Sequence, residues 1–173
     1  MDFWNSRDFR NKAKAIEGYS NLIFLQQYES KTTYTNFAFY NNTLVHPYAG
    51  GNVITSTMTG LSGLTFVNNL AYAPGATISY SFLPASDVTV GNNLWSSSPP
   101  SILAGSGDVT STTPGLASPA YTPTIGGGFD PTSIQLVAGS PASGAGQHVA
   151  LVTTDYFGTA RPAGAYDIGA YQH

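Results

Sequence analysis

The sequence predicts an all-β fold in which short coils stack on one another as a solenoid. Three observations lead to this prediction. Few charged residues are combined with many aromatic ones, a six-residue pattern recurs along the chain, and this pattern alternates in side-chain character as a strand does. A length of 173 residues suits one domain with its own core better than two domains.

Composition favours a folded, strand-rich protein over a disordered one. Charged residues make up 9 % of the chain, against about 25 % in an average soluble domain. The 19 Gly and 11 Pro would suit a disordered tract, but the 11 Tyr, 9 Phe and 2 Trp would not. Short strands joined by polar turns fit this mixture, because strands favour β-branched and aromatic residues. The absence of cysteine excludes disulfides and thiolate metal sites.

The charge distribution gives no argument for a polyanionic or polycationic partner. Net charge is −3. Most of the basic residues lie near the start of the chain, and we interpret them as the solvated face of a helix: Arg7, Arg10, Lys12 and Lys14. No apolar stretch approaches the ~20 residues of a transmembrane helix, and the opening residues do not resemble a signal peptide. We therefore expect no nucleic-acid partner and no membrane span.

Residues 6–16 form the one stretch with helical periodicity. Three apolar residues share a face at spacings i, i+4 and i+7: Phe9, Ala13 and Ile16. Asn5 can cap the start of this helix, and Gly18 would end it. We expect residues 1–18 to cover the open edge of the first coil.

A repeat follows the helix. The unit reads apolar, small, apolar, variable, Asn, Asn, and its copies occupy residues 37–42, 64–69 and 88–93. Their starts lie 27 and 24 residues apart, and residues 19–22 look like a degenerate earlier copy. Periods of this length are typical of solenoids. An antiparallel sandwich is the alternative, but its turn signals would recur every 8 to 12 residues, so we favour the solenoid.

Strand alternation assigns a direction to each position of the unit. The first and third positions should point inward: Phe37, Leu64, Val88, Phe39, Phe66 and Val90. The positions between them should face outward: Ala38, Thr65 and Thr89. The second Asn of each pair fits a turn with a left-handed backbone. On coils stacked about 4.8 Å apart, these amides can bond to one another and to the neighbouring backbone: Asn42, Asn69 and Asn93.

The end of the chain carries a more specific pattern. Ile134-Gln135-Leu136 leads into a Gly- and Ser-rich stretch over residues 139–146. Residues 155–162 then read Asp-Tyr-Phe-Gly-Thr-Ala-Arg-Pro, and residues 166–171 read Tyr-Asp-Ile-Gly-Ala-Tyr. This order resembles the closing segment of right-handed parallel β-helix proteins of the pectin-lyase-like superfold, many of them secreted bacterial proteins. The resemblance covers residues 19–173 and is specific only in the last part.

The chain departs from that family in two places. Ser143-Gly144 stands where the family usually has an apolar residue and Asp, and Gln172 stands where it often has Glu. Both changes remove acidic groups and weaken the case for a metal site. The resemblance implies an extracellular or cell-surface setting and polysaccharide as the usual partner. It implies no particular activity, because one scaffold hosts many functions.

The resulting fold prediction is a right-handed parallel β-helix. The coils occupy residues 19–139 with long loops at 96–128, and a coil of about 24 residues gives about five of them. Residues 140–173 form an irregular segment that closes the C-terminal end.

Charged residues in the coils are too few for a catalytic groove of the expected kind. From residue 30 to residue 129 the only charged side chains are Lys31, Asp87 and Asp108. The resemblance implies that a lyase of acidic sugars would need several carboxylates for Ca²⁺ and an Arg or Lys base on the outer face. Two lone aspartates also make a poor glycosidase pair. We therefore expect neither a metal nor a cofactor.

Asp155, Arg161 and Asp167 concentrate the remaining charge. A catalytic or Ca²⁺ constellation is one interpretation. We favour a structural one, in which Asp155 forms a turn ahead of Gly158 and Arg161 bonds bidentately to an aspartate. The three histidines lie far apart and show no metal-ligand spacing, at positions 46, 148 and 173.

Aromatic side chains at outward positions or in loops are the remaining candidates, since exposed rings can stack on sugars. The set comprises Tyr40, Tyr48, Tyr72, Tyr80, Trp95 and Tyr121, and we select Tyr40, Tyr48, Tyr72 and Trp95 as carbohydrate-binding residues. The competing interpretation is that these rings pack under loops or cap the ends of the stack.

The sequence thus favours a non-catalytic surface or extracellular β-helix module that associates with polysaccharide. The alternative is a carbohydrate-active enzyme, a polysaccharide lyase or a glycoside hydrolase, or a fragment of one. A second alternative is a structural protein that self-associates through its coil ends.

Overall fold

The structure, a computed structural model, describes residues 21–25, 34–45, 52–56, 61–73, 79–82, 86–118 and 130–173. The helix predicted over residues 6–16 lies outside these ranges, and so does its expected capping role. Strands dominate the described residues. The helices among them are two short 3-10 helices, Ser101–Leu103 and Pro131–Ile134.

Twelve short strands form within the described residues, and every pairing between them is parallel. They are β1 (Asn21–Leu25), β2 (Tyr34–Thr35), β3 (Ala38–Tyr40), β4 (Thr43–Val45), β5 (Asn52–Ser56), β6 (Leu61–Ser62), β7 (Thr65–Val67), β8 (Leu70–Tyr72), β9 (Ser79–Phe82), β10 (Thr89–Gly91), β11 (Leu94–Trp95) and β12 (Val109–Thr110). A strand-rich fold of parallel sheets is therefore confirmed. An antiparallel sandwich requires hairpin pairing, so that alternative is wrong.

The sheets arise because each copy of the repeat pairs with the copy before it. β1, β5 and β9 form one sheet, β2 and β6 a second, β3, β7 and β10 a third, and β4, β8, β11 and β12 a fourth. Phe39 pairs with Phe66, and Phe66 pairs with Val90. This is the register that the aligned repeat predicts, so one repeat is one level of the stack.

The described residues form three full levels and a shorter fourth one, rather than about five coils. The fourth level comes from the stretch predicted as a loop. Ser106 bridges Gly91, and Val109 of β12 pairs with Leu94 of β11. This level needs fewer residues because a 3-10 helix, Ser101–Leu103, precedes it where the other levels have a longer strand.

The interior of the stack is apolar and follows the predicted alternation. Phe39 and Phe66 are buried, whereas Ala38 and Thr89 are exposed. The Phe66 ring lies 5.8 Å from that of Phe39 and 5.5 Å from the stacked ring of Trp95, between centroids. Burying side chains of this size stabilises a fold by about 1.5–3 kcal/mol each. The apolar positions of the repeat therefore hold the levels together.

Each of the three full levels turns its last corner through one residue with a left-handed backbone. That residue is the first Asn of each pair, with φ of 50° at Asn41, 58° at Asn68 and 51° at Asn92. The prediction that the second Asn takes this role is wrong. The bend falls on the residue directly after the strand, and the following residue already leads into the next strand. Asn suits the bend because its short polar side chain tolerates positive φ.

Residues 140–173, named the C-terminal segment, lie along the flank of the stack. Ile168 and Ala142 pack with Leu70 and Leu94, which belong to two successive levels. Strand alternation turns these two leucines outward, so they need a cover of their own. Its contacts run from level to level, and the expected closure of the C-terminal end stays a prediction.

Candidate functional site

The second Asn of each pair forms a ladder of side chains. Asn42 donates from Nδ2 to Oδ1 of Asn69 at 2.8 Å, and Asn69 donates in the same way to Asn93 at 3.2 Å. The backbone N–H of Asn42 and that of Asn69 donate to the same two oxygens. All three side chains are buried. Each unpaired buried group would cost about 1–3 kcal/mol, so the ladder holds successive levels in one register.

Asp108 ends this ladder at the fourth level. Its Oδ1 accepts from the N–H of Asn93 at 2.8 Å, and its Oδ2 accepts from Nε1 of Trp95 and from the N–H of Gly105, both at 2.9 Å. A carboxylate accepts hydrogen bonds and donates none, so the side chain of Asp108 cannot donate to a residue of a further level as the Asn side chains do. Both carboxylate oxygens of Asp108 thus accept hydrogen bonds from the protein itself, which argues against a catalytic role for this residue.

The first Asn of each pair ties the C-terminal segment to three levels. Asn68 makes the most complete contact, since it donates to the carbonyl of Gln147 at 2.7 Å and accepts from the same residue's N–H at 2.9 Å. Asn92 donates to a carbonyl of the segment at 2.9 Å, and Asn41 donates to the carbonyl of Asp167 at 3.1 Å. Sequence reasoning assigned these amides no role.

Two aspartates organise turns inside the C-terminal segment. Asp155 Oδ1 accepts from the N–H groups of Phe157 at 2.9 Å and Thr159 at 2.7 Å. This is a turn ahead of Gly158, where the structural interpretation placed one. Asp167 is also buried, and its Oδ1 accepts from a backbone N–H at 2.7 Å. The structure therefore places both carboxylates on backbone donors.

The guanidinium of Arg161 bonds to backbone carbonyls. Nη2 donates to the carbonyl of Gly169 at 2.8 Å, and Nη1 donates to that of Asp167 at 3.1 Å. The predicted bidentate pair with an aspartate is wrong, because the aspartates already receive backbone N–H groups. Burial of this side chain, which is 6 % exposed, lowers its pKa, while the negative charges of Asp155 and Asp167 oppose the shift. The buried guanidinium of Arg161 thus holds together the turns that contain Asp167 and Gly169.

The rings selected as sugar-stacking candidates are not displayed where the structure describes them. Trp95 is 0 % exposed because it occupies the inward position of its strand. Tyr72 is buried with the leucines that the C-terminal segment covers, and Tyr40 is half-buried. The expected outward display is therefore wrong for Trp95 and Tyr72. Tyr48 and Tyr121 lie outside the described residues, and Tyr80 belongs to β9.

Two other rings reach the surface in the C-terminal segment. Tyr156 is 37 % exposed and Phe157 is 51 % exposed, and their ring centroids are 5.3 Å apart. The Phe157 ring also lies 5.4 Å from that of buried Tyr171. Tyr171 donates its hydroxyl hydrogen bond to the carbonyl of Pro131, and burial raises its pKa above the ordinary value of 10.0. Tyr171 is therefore neutral at physiological pH and supports the exposed pair from below.

A cleft of about 230 Å³ opens beside Phe157. Its lining combines the rings of Phe157 and Tyr171 with polar groups that include Gln135, Asp155 and Thr159. An apolar ring next to a few convergent polar groups is the usual composition of a small-molecule site. The arrangement can bind a molecule that has one apolar face and several hydroxyl groups.

A signal for this site was present in the sequence. Tyr156 and Phe157 are adjacent, and they stand between Asp155 and Gly158. Asp and Gly are typical turn residues, and a surface turn cannot bury two successive large rings completely. In the sequence analysis Tyr156 and Phe157 contributed only to the family resemblance, and their exposure was not predicted.

The described residues offer little support for metal chemistry. Within them, no group of three or more His, Cys, Asp or Glu side chains is placed to hold a metal ion. His148 packs edge-on against Tyr166 at 5.2 Å between centroids, and His173 lines the cleft. His46 lies outside the described residues. No helix in the described part of the chain is long and apolar enough to cross a membrane.

Comparisons of the chain with protein-family models, with curated proteins and with solved structures give no match.

Proposed function

We propose that this chain is a right-handed parallel β-helix that serves as a non-catalytic surface or extracellular module and associates with polysaccharide. The parallel sheets, the one-repeat-per-level register and the buried Asn ladder support the β-helix. The resemblance of the C-terminal segment to pectin-lyase-like proteins supports the extracellular setting.

The exposed pair Tyr156 and Phe157 is the observation that most favours polysaccharide binding. Large rings that are this accessible, 37 % and 51 %, stand out in a segment that buries most of its other apolar side chains. Aromatic faces stack on the apolar faces of sugar rings, and nearby polar groups bind the hydroxyls. The cleft beside Phe157 supplies those polar groups.

The described carboxylates favour the binding module over the carbohydrate-active enzyme. A general acid or base must reach the substrate with a free oxygen or proton. Asp108 accepts protein donors at both oxygens at 2.8–2.9 Å, and Asp167 is buried. Asp155 accepts two backbone N–H groups at Oδ1, and no second Asp or Glu joins it in the lining of the cleft. Asp87, which is exposed, accepts from the hydroxyl of Ser62 at 2.8 Å. None of these geometries resembles a pair of catalytic carboxylates that flank a bond.

Incubation with immobilised neutral and acidic polysaccharides, with and without Ca²⁺, tests this proposal. We expect retention on at least one polysaccharide without release of reducing or unsaturated ends. Phe157→Ala should weaken retention about tenfold, which corresponds to about 1.4 kcal/mol of lost stacking.

Leu151→Ala is the matched control, because Leu151 is an apolar side chain of the same segment that is exposed and does not line the cleft. Its retention should equal that of the unmodified chain. Release of sugar products would contradict the non-catalytic assignment, and no retention on any polymer would contradict the binding function.

A further inference from the structure

We propose that the cleft beside Phe157 binds neutral sugar units and discriminates against uronic acids. This inference rests on the polysaccharide binding proposed above and specifies its ligand. The size of the cleft is the first argument. At about 230 Å³ it is smaller than the ~300–1,000 Å³ that holds a drug-sized ligand. It therefore accommodates one ring of a polymer, with the rest of the polymer lying on the surface.

The charge of the lining is the second argument. Asp155 lines the cleft, and the N–H of Gln172 donates to its Oδ2 at 3.2 Å. Each carboxylate oxygen has two lone pairs, so Oδ2 keeps capacity to accept a sugar hydroxyl. Asp130 adds a second negative charge near Tyr171, whose pKa both carboxylates help to raise. Among the described residues, these two carboxylates therefore place negative charge at and beside the cleft.

A carboxylate on the bound sugar would be repelled by these negative charges. Arg161 is the one Lys or Arg within the described ranges. Its Nη atoms donate to the carbonyls of Gly169 and Asp167 and to Oε1 of Gln172, so these donors are already engaged within the C-terminal segment.

Gln135 and Thr159 add uncharged polar groups to the lining. The side-chain amide of Gln135 and the hydroxyl of Thr159 make no hydrogen bond to any other described residue. An amide and a hydroxyl both donate and accept, as do sugar hydroxyls. Together with the carboxylate of Asp155 and the face of Phe157, they match a neutral sugar with an apolar face and vicinal hydroxyls.

The test compares oligosaccharides that differ only in charge. Neutral hexamers of glucose, mannose, xylose and galactose are titrated by calorimetry into the full chain at pH 8, where histidine side chains in general are neutral. The tightest binder among those with a C6 hydroxyl is then oxidised to the uronate at every C6. We expect the oxidised hexamer to bind at least tenfold more weakly than its neutral parent.

Gln135→Lys sharpens this test, because it adds a cation to the cleft at a side chain that makes no hydrogen bond to another described residue. It should raise the affinity for the uronate hexamer at least fivefold relative to the affinity for the neutral hexamer. Leu151→Lys adds the same charge outside the cleft lining and should change neither value. Equal or tighter uronate binding by the unmodified chain would overturn the inference while leaving polysaccharide binding intact. No binding of any hexamer or polymer would instead overturn the proposed function.

Discussion

The stacked levels and the C-terminal segment satisfy their buried polar groups in different ways. In the levels, the same contact recurs: the amide of Asn69 bonds with Asn42 on one side and Asn93 on the other. In the C-terminal segment each contact is unique, and the buried residues Asp155 and Arg161 bond to backbone groups of individual turns. A periodic structure can reuse one side chain, whereas an irregular segment needs a specific partner for every turn.

This difference predicts where each region is vulnerable. Loss of one rung of the ladder leaves polar groups unpaired on two levels at once. Loss of one contact in the C-terminal segment affects the turns beside it, while the parallel sheets keep their own hydrogen bonds. The exposed aromatic pair also belongs to the irregular region, as expected if binding groups are placed on segments that a regular scaffold supports.

The largest effect is expected for Asn69→Ala. The substitution removes the acceptor of the Asn42 N–H and the donor to the carbonyl of Phe39, which are both buried. The free energy of unfolding should fall by about 3–5 kcal/mol, as measured by urea denaturation. Thr89→Ala, on the outer face of the next level, should cost less than about 0.5 kcal/mol. Similar losses for the two variants would show that the ladder is not what stabilises the levels.

A smaller and more local effect is expected for Arg161→Ala. The carbonyls of Asp167 and Gly169 lose charged donors, which costs about 2–3 kcal/mol. Hydrogen exchange should show faster opening of residues 144–172, while the amides of β7 and β8 keep their protection. An equal loss of protection in both regions would contradict the view that the C-terminal segment opens as its own unit.

The smallest effect concerns Tyr171 and alkaline pH. Because burial raises the pKa of this phenol above its ordinary value of 10.0, the folded chain holds the proton that the unfolded chain releases. Its contribution to stability is therefore complete below pH 10 and is lost as pH rises through the folded pKa. Urea denaturation from pH 8 to pH 11 should show a steeper fall for the unmodified chain than for Tyr171→Phe. At pH 7 this variant should lose about 1 kcal/mol with the hydrogen bond to Pro131. Equal slopes would mean that Tyr171 ionises normally in the folded chain.

Much of the stack could be predicted because its information is local and repeated. The alternation around Phe39 and Phe66 gave the inward face, and the spacing of the Asn pairs gave the register. The fourth level was not recognised, since its ladder residue is Asp108 rather than an Asn pair and it follows after a shorter interval. The pattern also could not predict which Asn of a pair has the left-handed backbone, because both positions carry the same residue type.

The candidate site could be predicted much less well. Trp95 and Tyr72 were predicted to be exposed and to bind carbohydrate, and both are buried. Trp95 is covered by the stack itself, and Tyr72 belongs to the cluster that the C-terminal segment completes. Such burial depends on contacts between residues far apart in the chain, which no local pattern encodes.

Local patterning and spacing were enough to determine that the described chain is strand-rich, which positions of the six-residue repeat face inward, and which residues of successive repeats lie side by side. Only the tertiary structure decided where the C-terminal segment lies. That segment has no period, and its position follows from long-range contacts such as Asn68 with Gln147 and Ile168 with Leu70. The exposure of Tyr156 and Phe157 was decided in the same way, because a side chain is exposed only where no other part of the fold packs over it.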